Sequence, residues 1–220
     1  LPISTWFGEP SRRWTSQIQD KNEAELLRLI TPMVKKWSAE TGVYIARESM
    51  ELMGGLGYIE DTVMPKLMRD VMVSPIWEGA GNIMVLDMLR AMAKSKGFEV
   101  MCEEIAQNAS LHPKNGKWME EELKKVQRFS KELTGMSQPQ LDKKEIQRGK
   151  DKMEYSAKSL FEKLTNLYQM ALLLGALNDE SKTWIIPALD YLKNKYDTSE
   201  LKAKEPLSAE EVKQLIGWEF

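Results

Sequence analysis

Residues 74–92 read SPIWEGAGNIMVLDMLRAM. Met84, Val85, Met88, Leu89 and Met92 fall on one stripe of a 3.6-residue period, so the spacing predicts a helix from Asn82 to about Lys94. Ahead of it stands a single carboxylate, Glu78. Ile76 and Trp77 precede it, and Gly79, Ala80 and Gly81 follow it. A carboxylate at a helix start is favoured by the free N–H groups and the positive dipole end there, and spacing alone gives Glu78 that structural role. Its neighbours permit a chemical role beside it. Next to Trp, in a water-poor site, a carboxylate is a stronger base for carbon acids than one in water, and Gly79 keeps the backbone slim enough for a substrate to approach.

Working outward, residues 1–21 carry two Pro and a Gly without a period and read as an irregular lead-in. From Asn22 to Met53, Leu26, Leu27, Ile30, Met33, Val34, Trp37, Ile45 and Met50 recur mostly at helical spacing. Pro32 interrupts them, either as the first helical position after a Thr31 cap or as a kink within one long helix. The run GGLGY at 54–58 then stops the helix, since Gly suits a left-handed C-terminal position. It follows a helix rather than a strand and is not a dinucleotide fingerprint. A short helix is expected within VMPKLMRDVMV, residues 63–73, and Gly97 is expected to close the helix that starts at Asn82.

Beyond Gly97 Lys and Glu become dense and aromatics sparser. NASLHPKNG, 108–116, reads as a loop and the best boundary candidate. Helical patterns follow at 117–134, 142–177 and 180–196. Near the end, Ser208 with Glu211 three residues on forms a capping box, with Gly217 past the close. Strand signals are poor: there is no long Val/Ile/Thr alternation and no Asn-Gly hairpin. The expected fold is an all-α bundle over 1–97 with a helical C-terminal extension over 98–220.

Composition excludes several classes. Of 220 residues, 42% are hydrophobic and 29% charged, which is ordinary globular usage, and 14 Met and 7 Trp point to a core of large, adaptable side chains. The lone Cys102 rules out an internal disulfide and suits a reducing, cytoplasmic compartment. A net charge of −2 gives the whole chain no drive toward nucleic acid or anionic membrane, and no apolar run is long enough to span one. His112 and Cys102 lack partners at ligand spacing, so no metal site is expected, and no Ser, Cys or His arrangement forms a nucleophile. Arg69 beside Asp70 reads as an ordinary ion pair, and 142–152, dense in Lys, as a solvated helix face. The opening LPIST, without Met, reads as the start of a fragment or processed piece.

In order and spacing, ARESMELMGGLGY, KLMRDVMV and IWEGAGNI together resemble the C-terminal helical domain of the acyl-CoA dehydrogenases. The resemblance is close over about residues 22–95. TPMVKKW and the long helical tail look most similar to the family's AidB-like, alkylation-response branch. The resemblance implies FAD as cofactor and an acyl-CoA thioester as substrate, with Glu78 as the catalytic base that removes the α-proton. Trp77 falls on the aromatic before the base, and it and Gly79 would line the substrate. Gly54 and Gly55 fall on the backbone pair that contacts FAD across a subunit interface, which implies a homo-oligomer. Asn82 falls near the flavin nucleotide. Ala80 stands at a cofactor-contacting position where the family often has Thr, so one hydroxyl contact is missing, and Glu51 stands where it often has Gln.

The resemblance also places two flavin-bearing domains ahead of Leu1. Leu26, Leu27, Ile30, Met33, Val34 and Trp37 are then expected to be left uncovered by this chain, and little FAD to be held by it alone. The rival readings are a DNA-associated protective flavoprotein of marginal turnover, an acyl-CoA oxidase and a helical assembly module. DNA is the partner that charge disfavours: residues 91–220 hold 21 Lys+Arg against 21 Asp+Glu, and non-specific affinity rests on phosphate neutralisation. Residues 91–220 should therefore shift a DNA probe only weakly and in a salt-sensitive way at physiological salt; submicromolar binding in that titration would overturn the expectation.

Overall fold

A computed structural model describes residues 20–135 and 143–196, together with Leu201, Ser208, Glu210 and Glu211. The described residues contain helices and no strand: α1 Lys21–Leu52, α2 Gly55–Tyr58, α3 Met64–Met72, α4 Gly81–Lys94, α5 Gly97–Ser110, α6 Pro113–Gly135, α7 Lys143–Gly175 and α8 Lys182–Lys195. They fall into two compact units divided between Glu104 and Ile105, inside α5. The lead-in at 1–19 and Gly217 lie outside the described residues.

In the first unit α1 is one helix of 32 residues that runs through Pro32. It starts because the Asp20 carboxylate accepts the Asn22 N–H at 2.8 Å, satisfying one of the orphan donors of the first turn. It ends where Gly54 takes φ +58°. Leu26, Leu29, Pro32, Met33, Lys36 and Ala39 form its buried face. Helix α1 packs against α4, whose Met84, Val85, Met88 and Ala91 are buried, and against α3.

This corrects the expectation of an uncovered N-terminal face. Leu26 and Met33 are buried, and Leu27, Ile30, Val34 and Trp37 are half-buried. The apolar surface that does lie open comes later. Tyr44, Ile45, Leu52, Leu56, Tyr58, Ile59, Val63, Ile76 and Trp77 are exposed, Leu52 by 89% and Tyr58 by 78%.

Gly97 opens α5 instead of closing α4. Helix α4 ends at Ser95, whose N–H bonds the Ala91 carbonyl at 2.9 Å, and the Ser95 hydroxyl accepts the Gly97 N–H at 3.2 Å. A Cβ at residue 97 would collide with the Glu25 carbonyl, so Gly is needed for this close approach to α1.

The second unit is built on α6, α7 and α8. Met119, Val126, Phe129 and Leu133 of α6, Leu160, Phe161, Leu164, Leu167 and Met170 of α7, and Ile185 of α8 are buried. The residues expected as a loop at 108–116 are helical except Leu111 and His112. The reason is packing: a side chain at Gly116 would strike the Ala109 carbonyl and one at Gly175 the Asn108 amide, so the bare glycines let the end of α5 continue as helix against its neighbours. Between α7 and α8, the Asn178 side-chain oxygen accepts from Glu180 N at 3.0 Å and Ser181 N at 2.8 Å, an Asx turn. Trp118 meets Tyr196 edge to face, with ring centroids 5.1 Å apart.

The Ser208–Glu211 capping box is present in both directions. Glu211 Oε2 accepts from Ser208 N at 2.8 Å and Ser208 Oγ accepts from Glu211 N at 3.3 Å. The bond from the Ser208 backbone, first, and its hydroxyl hold the Glu211 carboxyl below its usual range. The side chains described at 147–152 are exposed or half-exposed, as a solvated face requires.

Met88, fully buried on α4, should be a sensitive point. Met88→Ala is expected to cost about 2–5 kcal/mol, read as a lower denaturant midpoint at unchanged slope.

Candidate functional site

Helix α3 ends at Met72 and α4 begins at Gly81; the turn between them carries Glu78. Its first half is held by local bonds, Ser74 N to Val71 O at 3.0 Å, Ile76 N to Val73 O at 2.9 Å and Trp77 N to Val73 O at 3.1 Å. Then the backbone reverses. Glu78 has φ +50° and Gly79 φ +113°. Glu78 is the one non-glycine at positive φ among the described residues, a conformation that costs an L-residue about 1–2 kcal/mol. Gly79 has no alternative: its φ favours glycine and a Cβ there would strike the Met84 side chain. Ala80 then caps α4 from an extended conformation, and Met84 N bonds the Ala80 carbonyl at 3.1 Å.

Glu78 and Trp77 share a cleft of about 270 Å³ with Lys35, Ser38, Ala39, Val71 and Ser74. Lys35, Ser38 and Ala39 lie at i, i+3 and i+4 of α1, one face of that helix, and the last two are small enough to leave room. One turn further on, Gly42 would put a Cβ 3.1 Å from Val71 Cγ2, so α1 and α3 approach closely at the rim. Lys35 Nζ donates to the Ser74 carbonyl at 2.5 Å, bridging 39 residues. On the other side of the turn, the buried Lys36 pairs with Glu40, Nζ to Oε2 2.6 Å, and a Cβ at Gly81 would stand 3.3 Å from Glu40 Oε1. Helix α1 thus sets a cation at the C-terminal end of α3 and a carboxylate at the start of α4, each the sign that the helix dipole favours.

The water-poor surroundings expected of Glu78 are not supplied by the described residues. Glu78 is exposed and Trp77 is 54% exposed. Ala80 and Asn82 are exposed at the start of α4, where no side chain caps the first-turn N–H groups. Gly54 and Gly55 are not part of this cleft. They lie at the far end of α1, about 25 Å along the helix from Lys35 at 1.5 Å per residue. There the positions of their missing side chains are open, with nothing within 4 Å. The link between α2 and α3 is tied to α3 by Arg69, whose two nitrogens donate to the Glu60 carboxylate at 2.7 and 3.1 Å. Arg69 is therefore a structural ion pair, with Glu60 as the bonded partner where the sequence offered Asp70. The Arg69 hydrogen bond, first among the causes, lowers the Glu60 carboxyl below its usual range.

Lys35, Ser38 and Ser74 were not singled out from sequence. A lysine on an amphipathic helix looks like a solvated one, and no local pattern announces a bond spanning 39 residues. Among the described residues no three His, Cys, Asp or Glu side chains are grouped to hold a metal ion, and no helix is long and apolar enough to cross a membrane. Cys102 is buried, and His112 lies in the two-residue link between α5 and α6.

Residues 12–93 match the family described as acyl-CoA dehydrogenase, C-terminal domain. Acyl-CoA dehydrogenase family member 11 of Caenorhabditis elegans is 34% identical over 165 residues, covering 72% of this chain and 26% of that protein. The putative acyl-CoA dehydrogenase AidB of Escherichia coli is 40% identical over 94 residues, covering 43% of this chain and 17% of that protein. The chain thus spans about a quarter or less of the length of these relatives. Among solved structures, C. elegans ACDH-11 in complex with C11-CoA superposes with a TM-score of 0.62 over 96% of this chain and 34% of that one, at 23% identity, which is a likeness of fold.

The strain at the turn has a measurable consequence. Glu78→Gly should raise stability by about 0.5–1 kcal/mol, the relieved left-handed strain less the greater unfolded-state entropy of Gly. Gly79→Ala should lower it by more than about 1 kcal/mol. Paired thermal melts check both signs.

Proposed function

We propose, from the premise that residues 12–93 belong to the acyl-CoA dehydrogenase C-terminal domain family, that this chain is the C-terminal part of a flavin-dependent acyl-CoA dehydrogenase-like oxidoreductase. The observation that carries the reading is Glu78. It is a non-glycine held at φ +50° at the edge of a cleft, between Trp77 and a Gly79 whose φ of +113° favours glycine. Backbone strain of that kind persists where the surrounding structure over-determines it, and it concentrates at functional sites.

In this reading the substrate is an acyl-CoA thioester. The Glu78 carboxylate takes the α-proton, and the electron pair of the broken C–H bond forms the Cα–Cβ double bond as the β-hydrogen departs with its own pair. A positioned general base of this type is worth about 10²–10⁴-fold. Trp77 and Gly79 flank the thioester, the first as an apolar wall and the second as a low point in the backbone. FAD, when bound, supplies the acceptor for the departing hydride.

The residues present fit a flavin as edges rather than as an enclosure. Gly54 and Gly55 offer side-chain-free, open backbone, and α4 offers first-turn N–H groups without a side-chain cap, suited to an oxygen-rich or anionic group. Ala80 and Asn82 stand at that end. Both edges are exposed, so this chain is expected to hold little FAD alone. Exposed apolar side chains, Ile76 and Trp77 in the turn that carries Glu78 and Leu52, Leu56 and Tyr58 at the far end of α1, support association with further chain or a second copy.

The names of the C. elegans and E. coli relatives support the substrate class and the AidB-like branch together. The second reading is a DNA-associated protective flavoprotein, and the balanced charge of residues 91–220 disfavours it. An acyl-CoA oxidase would use the same Glu78 chemistry with oxygen as the final acceptor.

In the flavin-loaded protein, Glu78→Gln should leave FAD bound and abolish bleaching of the flavin absorbance by an acyl-CoA. Undiminished bleaching in that variant would refute Glu78 as the base.

A further inference from the structure

We infer that Lys35 is a positioning residue for Glu78: its ammonium clamps the turn that carries the carboxylate and holds it in the left-handed conformation. The inference rests on the reading of Glu78 as the base. Lys35 is half-buried on α1 and its Nζ donates to the Ser74 carbonyl at 2.5 Å. Ser74 follows directly on the Val73 cap of α3, so the ammonium sits where the helix leaves carbonyls unpaired and its dipole is negative. A charge-assisted bond of this length is among the strong ones, and partial burial screens it less than a surface pair.

What the clamp has to hold is visible in the chain beyond it. Four residues after Ser74 the backbone enters positive φ at Glu78, a state an L-residue leaves unless its neighbours prevent it. The far side of the turn is closed by Gly79 packing on Met84 and by the Ala80–Met84 backbone bond. The near side carries the backbone bonds to the Val71 and Val73 carbonyls, and Lys35 ties it to α1. Lys35, Ser74, Trp77 and Glu78 also line one cleft, so release of the clamp would open the same space in which the carboxylate works. The ammonium is bonded to a backbone carbonyl and is assigned no contact with the reacting atoms.

The test compares Lys35→Met, which keeps the stem and removes the donor, with Lys35→Arg, which keeps a cationic donor. In the 220-residue chain, amide hydrogen exchange of Ile76 and Trp77 should quicken about tenfold in Lys35→Met, as loss of a charge-assisted bond implies. The amides of Leu29 and Met88 should be unchanged, and Lys35→Arg should restore protection. Unchanged exchange at Ile76 and Trp77, or an even rise at every amide, would overturn the proposal; the even rise marks general destabilisation without a local clamp.

In the flavin-loaded protein, Lys35→Met should slow acyl-CoA-driven flavin reduction about tenfold at unchanged half-saturation, with the arginine variant recovering the rate. Glu78→Gln run in parallel separates the two ideas. If that variant reduces flavin at the parental rate, the base assignment fails while the exchange pattern still decides the clamp. If it is inactive and Lys35→Met shows parental exchange and parental rate, the clamp alone fails.

Discussion

The first unit depends on α1 remaining one helix through Pro32. A proline inside a helix removes a backbone donor and presses on the preceding turn, at about 3 kcal/mol. The break falls on the buried face, since Pro32 and Met33 are themselves buried. It is outweighed by packing, because Leu26, Leu29 and Met33 are each at most 3% exposed, and burial of such side chains stabilises by roughly 1.5–3 kcal/mol each. With α1 continuous, Lys35, Lys36 and Glu40 beyond Pro32 stay in register with Leu26 and Leu29 before it. The α3–α4 turn and the buried stripe of α4 are then referred to the same rod.

That register explains how a strained turn survives. Between the end of α3 and the start of α4 local bonds hold only the half up to Trp77, and the reversal at Glu78 and Gly79 opposes the preference of an L-residue. Its two ends are fixed from outside by charges on α1. Lys35 holds the Ser74 carbonyl, and the Lys36–Glu40 pair stands at Gly81. An ion pair with one exposed partner is weak evidence for stability. Here its value is geometric, because Glu40 marks where Gly81 begins α4 against α1.

The parts legible in the sequence were those set by local period and by glycine. The stripe Met84, Val85, Met88 gave α4, the run after Met53 gave the positive-φ stop at Gly54, and Ser208 with Glu211 gave the capping box. The misreadings share one cause, contact between segments distant in the chain. Gly97 looks like a helix stop and Gly116 like part of a loop, yet each is bare because a backbone carbonyl of another helix passes close by. The face of Leu26 and Met33 was expected to lie uncovered because the resemblance assigns its cover to chain ahead of Leu1, whereas α4, distant in the sequence, packs on it. At the candidate site, Trp77, Glu78 and Gly79 stood out by residue type. The positive φ of Glu78 and the reach of Lys35 did not, since the first depends on the whole turn and the second on a fold that brings residues 35 and 74 together.

In the proposed function, an exposed glutamate on a strained turn is half of a proton-abstraction site, and the other half is identifiable by its physics. Backbone strain fixes where the carboxylate points without altering how water solvates it. A base for a weakly acidic carbon needs both direction and a dry environment. In the proposed function this chain supplies direction, through Lys35, Gly79 and Met84, and it leaves dryness to whatever covers Trp77 and the neighbouring apolar surface. Covering Ile76 and Trp77 would both bury apolar area and exclude water from Glu78. Association and catalytic competence are then one event, and a substitution that weakens the cover would lower the rate of proton removal without touching the cleft itself.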